Sequence, residues 1–236
     1  MIVPRAAIAL AALPFVAGCV GGLLGEGDSD QLYRLQAELP ASQGGSAAGV
    51  PAAQRTAIVL LPLSFAPEIE GDRMLAGRGR EAFYIKDARW GAPAPSLVSD
   101  ALASAFDVRA PALLLADRRD NAGAEFALEV HVTRFEARYP AGTDVESEAA
   151  PVAIFAGEAR LRGRGREPVA VRSFSSAVPA RENRVSAIVD AHAEGVSTAA
   201  AELADWTQAA IAAAPARNVT GPDKGESGSV RSDGEP

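Results

Sequence analysis

The chain predicts an α/β two-layer sandwich: a mixed, mostly antiparallel sheet with two main helices packed on one face. Three observations carry that prediction. Residues 125–137 alternate, with Phe126, Leu128, Val130 and Val132 on one side and Glu129, His131 and Thr133 on the other, the period-two pattern of a half-buried strand. Residues 185–213 carry an apolar stripe (Val185, Ile188, Val189, His192, Val196, Ala199, Leu203, Trp206, Ala210) spaced mostly by three and four, as on a helix that lies on a sheet. The segments run as strands, one helix, more strands and a long helix, which suits helices gathered on one side of a sheet.

Taken in order, the chain opens with Arg5, an apolar run over residues 6–16 interrupted only by Pro14, and then Val16-Ala17-Gly18-Cys19. A short positive start, a brief apolar core and small residues make a secretory signal. The run is shorter than the roughly 20 residues a membrane-spanning helix needs. Val-Ala-Gly-Cys resembles a lipobox, the cleavage signature of bacterial lipoproteins. The resemblance implies a signal peptide over residues 1–18, cleavage before Cys19, a diacylglycerol on the Cys19 thiol and a fatty-acid chain such as palmitate on the new amine. One acyl chain binds a membrane only marginally, at about 0.8 kcal/mol per buried methylene, but two or three hold it stably. Residues 19–30, rich in glycine and acid, form a flexible tether. Val20, not aspartate, follows Cys19; by analogy with sorting in enteric bacteria this implies the outer membrane.

Residues 31–38 predict a short strand, and the Gly, Ala, Ser and Pro of residues 40–54 a loop. Residues 57–63, with Ile58, Val59, Leu60 and Leu61 before Pro62, predict a strand buried on both faces. Residues 68–80 read as an irregular edge or a hairpin, and 82–86 as a strand. Over residues 93–106, Val98, Ala101, Leu102, Ala105 and Phe106 share one helical face, with Ser96 as a candidate cap. Residues 112–116 predict a strand, 117–123 a charged turn, and 151–162 and 168–174 two strands joined by a Gly163-to-Glu167 hairpin turn. After the long helix, residues 215–236 have the composition of a disordered tail. The domain therefore spans residues 31–214.

The 236 residues carry a formal charge of −7, and loss of Arg5 with the signal leaves −8, which argues against a nucleic-acid partner. Cys19 is the only cysteine, so its lipidation leaves no disulfide and no thiolate metal site. The two histidines, His131 and His192, have no Cys, His or Asp at ligand spacing and read as a surface residue and a packed one. Ser173, Ser175 and Ser176 lack a Gly-x-Ser-x-Gly turn. Glu146 and Glu148 sit in a polar loop, where spacing alone makes no acid/base pair. The basic turns at Gly77-Arg78-Gly79-Arg80 and Arg162 to Arg166 read as solvated, and Asn218-Val219-Thr220 is a sequon in the tail. No catalytic, metal or cofactor constellation emerges, so the expectation is not an enzyme.

Several pieces fall in a familiar order: Tyr33-Arg34-Leu35 soon after the lipobox; Leu61-Pro62-Leu63; Asp72-Arg73; Ala88-Arg89-Trp90-Gly91-Ala92-Pro93 opening a helix; the run from Leu128 to Glu136 ending Arg134-Phe135-Glu136; and an alanine-rich terminal helix with Trp206. Over residues 31–213 this resembles the ABC-type transport auxiliary lipoprotein family, which accompanies the MCE (mammalian cell entry) systems, including the paraquat-inducible type. Two features depart from the family's pattern. Its Pro-x-Tyr-Leu-Asp-Arg is here Pro67 to Arg73, longer and without tyrosine, and its Trp-Ala-Glu-Pro has Ala92 in place of glutamate.

The resemblance implies a periplasm-facing domain on the outer membrane that docks the periplasmic MCE protein of an inner-membrane permease and ATPase. Its cargo would be phospholipid or another hydrophobic molecule. Arg89 and Trp90 are the candidate partner-binding residues, with packing the first role expected of the Trp90 ring. A bound lipid ligand and a homo-oligomer stay open. An accessory lipoprotein of a secretion or lipopolysaccharide-assembly machine is the alternative.

Overall fold

The computed structural model describes residues 30–36, 51, 54–117, 123–142 and 149–214. The signal, Cys19, the tether before Asp30, most of the 40–54 loop, Glu146, Glu148 and the tail with its sequon lie outside the described residues. Nine strands and two helices follow one another as β1 (Gln31–Tyr33), β2 (Thr56–Leu60), β3 (Ser64–Phe65), a 3-10 turn (Pro67–Ile69), β4 (Arg73–Arg78), β5 (Glu81–Trp90), α1 (Ala94–Arg109), β6 (Leu113–Asp117), β7 (Phe126–Tyr139), β8 (Val152–Gly163), β9 (Pro168–Pro179) and α2 (Val185–Ala213).

The fold is the expected α/β sandwich with one mixed, open sheet. Its spine is β7. One side of β7 pairs antiparallel with β8 along its whole length, and β9 continues outward from β8, also antiparallel. The other side is divided. β2 takes residues 126–128, β3 takes 131–132 and β4 takes 136–139, all parallel. β6 extends the first branch beyond β2, while β5 and then β1 extend the second beyond β4. Antiparallel pairing dominates by length, because the long β7–β8 and β8–β9 ladders outweigh the short parallel ones.

Residues 68–80, read from sequence as an edge or hairpin, resolve into the 3-10 turn and the β4 arm of a hairpin with β5. Ser96 does not cap α1. The helix starts at Ala94, directly after Pro93, so Ser96 already lies inside its first turn, where its backbone N–H bonds the Pro93 carbonyl at 3.0 Å; the cap residue is Pro93, with no side-chain bond. The face expected of α1 is the buried one, and that of α2 is buried from Ile188 to Leu203, with Val185, Trp206 and Ala210 half-covered. Arg109 Nε bonds Asp205 Oδ1 at 3.2 Å and ties the end of α1 to α2.

The alternation in β7 runs only to Val132. The next buried residues are Phe135 and Ala137, one position out of phase. The register slips between Val132 and Arg134, opposite Gly157. This β-bulge turns Phe135 inward and leaves Arg134 outward; a strict period of two would reverse them. Glycine is needed opposite the bulge, since a Cβ on Gly157 would stand 2.2 Å from the His131 carbonyl oxygen and 2.6 Å from Phe174 Cζ. Beneath α2 the rings of Trp90, Phe135, Phe155 and Phe174 follow one another at centroid spacings of 5.1, 5.9 and 5.2 Å, forming the aromatic centre of the core.

Candidate functional site at the Arg89–Trp90 corner

The corner is built by the end of β5. Asp87 has φ +53°, a bulge that interrupts the β4–β5 ladder between Tyr84 and Arg89. The strand then resumes with a new neighbour, β1, pairing Gln31 with Ala88, Leu32 with Arg89 and Tyr33 with Trp90. Three backbone bonds close the structure: Trp90 N–H to the Asp72 carbonyl (2.7 Å), Gly91 N–H to Tyr33 (2.7 Å) and Ala94 N–H to Gly71 (3.1 Å). Gly91 permits that approach, because a Cβ there would lie 3.3 Å from the Tyr33 carbonyl oxygen.

The two candidate residues diverge in environment. The Arg89 guanidinium donates from Nε to the Asp30 carboxylate and from Nη1 to Asp72 Oδ1 at 3.1 Å, with 37% of its side chain exposed. The hydrogen bond and charge of Asp30, with Asp72 behind, raise its pKa above the usual arginine value. Trp90 is 2% exposed; its indole stacks on Phe135 and meets the edge of His192 at 5.6 Å. The ring therefore packs, the role expected first, while Arg89 keeps a water-facing head. Tyr33, Asp72, the Ala88-to-Pro93 run and Phe135, separate in sequence, all meet at this corner.

His192 is the packed residue expected, 3% exposed, with Phe135 at 4.7 Å and no partner for Nδ1. Burial lowers its pKa from 6.5 to about 3, so it is neutral at physiological pH. His131 is the surface residue expected, but the fold gives it a partner that the sequence hides. Ser64, 67 residues away, sits beside it on β3, and its Oγ shares a hydrogen bond of 2.8 Å with His131 Nδ1. Glu129, Glu158 and Arg160 complete a shallow cavity of about 240 Å³. Both carboxylates are engaged elsewhere, Glu158 by Arg160 (2.6 Å) and Glu129 by Arg162 (3.0 Å). An activated serine needs a base that a third group orients, together with fixed oxyanion donors; this pair lies on an open, ion-paired sheet face. Among the described residues, no three His, Cys, Asp or Glu are placed to hold a metal.

Ser173 and Ser175 are exposed on β9, and Ser176 packs its unpartnered Oγ toward Gly195 of α2. The basic turns are partly ion-paired, through Arg78 with Glu81 and Arg162 with Glu129. The helix–sheet interface is filled, with Val196, Ala199, Ala200 and Leu203 at most 2% exposed. A groove of about 690 Å³ lies on the flank of α2, where Arg34, Arg109 and Arg181 face Asp190, Glu194 and Asp205. No helix among the described residues is long and apolar enough to cross a membrane.

No curated protein sequence matches this chain. Among solved structures it is similar to a Xanthomonas campestris protein of the family DUF330, at 22% identity and TM-score 0.64, covering 77% of this chain and 97% of that one. An uncharacterized protein is similar at 15% identity and TM-score 0.58, covering 76% and 99%. These two likenesses establish the fold. The family model for the ABC-type transport auxiliary lipoprotein component matches residues 33–204, from the end of β1 through most of α2. The chain belongs to the ABC-type transport auxiliary lipoprotein family.

Proposed function

We propose that this auxiliary lipoprotein is anchored through acylated Cys19 to the outer membrane, faces the periplasm and docks a periplasmic MCE-domain protein. That partner would reach from an inner-membrane permease and ATPase, and the assembly would move phospholipid or another hydrophobic cargo between the two membranes. The observation that carries the reading is the family match over residues 33–204, most of the folded domain, joined to a lipobox near the start of the chain. The residues suit a binding component: a sandwich with a filled helix–sheet interface after a short tether, with no catalytic group assembled among the described residues.

Arg89 and Trp90 act together in this reading. Trp90 fixes the corner from inside, and Arg89 offers the accessible charge to the partner. Residues 1–18 are the signal, 19–30 the tether, 31–214 the domain and 215–236 the tail. Affinity purification of the intact lipoprotein from solubilised envelopes, with mass spectrometry of proteins and lipids, tests the proposal. Recovery of an MCE-domain protein with its permease is the expected result, and a co-purified lipid would identify the cargo. Recovery of secretion or lipopolysaccharide-assembly components instead would overturn it.

A further inference from the structure

We propose that the β1 edge is the face this domain lays on the phospholipid surface to which Cys19 is joined, with Leu32 entering the interface and Lys86 meeting lipid phosphates. The inference rests on the lipid-anchor reading of Cys19 and adds to it a second, non-covalent contact.

Leu32 and Val171 are the two large apolar side chains left exposed among the described residues, at 66% and 55%. They lie on opposite margins of the sheet. β1 is the outermost strand of one branch, and β9 closes the other side five strand steps away, about 24 Å at normal strand spacing. Of the two, Leu32 is the nearer to the anchor along the chain. Ten residues separate Cys19 from Asp30, so even a fully extended tether holds β1 within about 40 Å of the headgroups.

The Asp30–Arg89 ion pair fixes where the chain enters the domain, immediately before β1. Exposure then alternates: Leu32, Arg34 and Gln36 face outward, while Tyr33 and Leu35 lean on the core. The Asp87 bulge brings Lys86, 86% exposed, to the cavity that holds Asp30 and Arg89. Asp87, 3.5 Å from Lys86, offsets part of that charge; Asp30 and Asp72 are occupied by Arg89. An exposed apolar side chain and an exposed lysine on the same β1–β5 margin, the first part of the domain after the anchor, fit a layer of phosphates over acyl chains. Lysine keeps its charge in the headgroups while its stem follows the apolar surface.

The test uses the full chain, processed in the envelope, purified and reconstituted into phosphatidylcholine–phosphatidylglycerol vesicles with and without brominated acyl chains. Leu32→Trp and Val171→Trp each add one surface indole, read against the unmodified chain, and melting temperatures check that both variants fold. The added emission of Leu32→Trp should fall at least two-fold in brominated vesicles, while that of Val171→Trp stays unchanged. Adding Lys86→Glu to Leu32→Trp should weaken the quenching. Intact mass reports acylation of Cys19 separately. An acylated Leu32→Trp chain that is not quenched, or equal quenching at both positions, overturns this inference and leaves the anchor intact. Absence of acylation overturns both.

Discussion

His192 makes stability depend on pH in a way that one substitution should remove. Its imidazole is closed in by Trp90 and Phe135, and burial lowers its pKa from 6.5 to about 3. In the unfolded chain the same group takes up a proton near pH 6.5. As pH falls below 6.5 the unfolded state therefore binds more protons than the folded state, and stability declines until the folded group also titrates near 3. A one-unit difference in pKa is worth about 1.4 kcal/mol, so between pH 7 and pH 5 this residue alone should remove about 2 kcal/mol. Urea unfolding at both pH values measures the loss. His192→Leu, which keeps an apolar side chain of similar size, should lose about 2 kcal/mol less than the natural chain over the same interval. Exposed His131 and the surface carboxylates are common to both chains and cancel in the comparison. Equal pH dependence in the two chains, or an NMR titration of His192 near 6.5, would refute the reasoning.

Trp90→Ala should lower stability by about 3–5 kcal/mol, or the melting temperature by roughly 10 °C, because it leaves a cavity against Phe135 and His192; Trp90→Phe should retain most of it. Unchanged melting with lost partner capture would reverse the assignment of that ring. Gly157→Ala should cost about 2–3 kcal/mol in urea unfolding, since its methyl meets the His131 backbone oxygen. Gly195→Ala meets only the Ser176 hydroxyl, a side-chain atom able to turn away, and should be close to neutral. Cys19→Ser should abolish labelling with radioactive palmitate and release the protein from sedimented membranes.

Element type was legible wherever one periodicity governed a segment. The α2 stripe buries one face over most of its length and was legible from local pattern alone, as was the β8–β9 hairpin from its glycine turn, although β9 runs on to Pro179, past the expected end at Phe174, because its pairing with β8 and not its own burial carries it there. The misses came where a distant contact changed the local rule. Nothing near Val132 signals the β7 bulge; its determinant is Gly157 on the neighbouring strand, where absence of a side chain permits the slip. Ser96 resembled a cap, but the backbone bond from Ala94 to Gly71 starts α1 earlier, at a residue chosen by tertiary structure. The division of one side of β7 among β2, β3 and β4 has no sequence signature, since parallel pairing leaves no turn to mark it.

The candidate corner was legible for a different reason. Periodicity says little about Asp72, Arg89 or Tyr33, none of which lies on an apolar stripe. What joined them was their order along the chain, and the structure supplies the cause: each is bonded to another. Tyr33 accepts from Gly91, Asp72 accepts from both Trp90 and Arg89, and Arg89 holds Asp30. Only the Arg89 bonds to Asp30 and Asp72 depend on side-chain identity; the others join main chain to main chain across tens of positions, so no short window reveals them. Ser64 and His131 are also bonded over a long range, yet they left no such trace. Their hydrogen bond lies on an exposed, solvated face, where water can replace either partner at little cost, whereas the corner joins the first strand, the β4–β5 hairpin and the first helix through several backbone bonds at once. That difference in the number of elements joined, three at the corner against two neighbouring strands at Ser64 and His131, is what sets the two places apart in the fold.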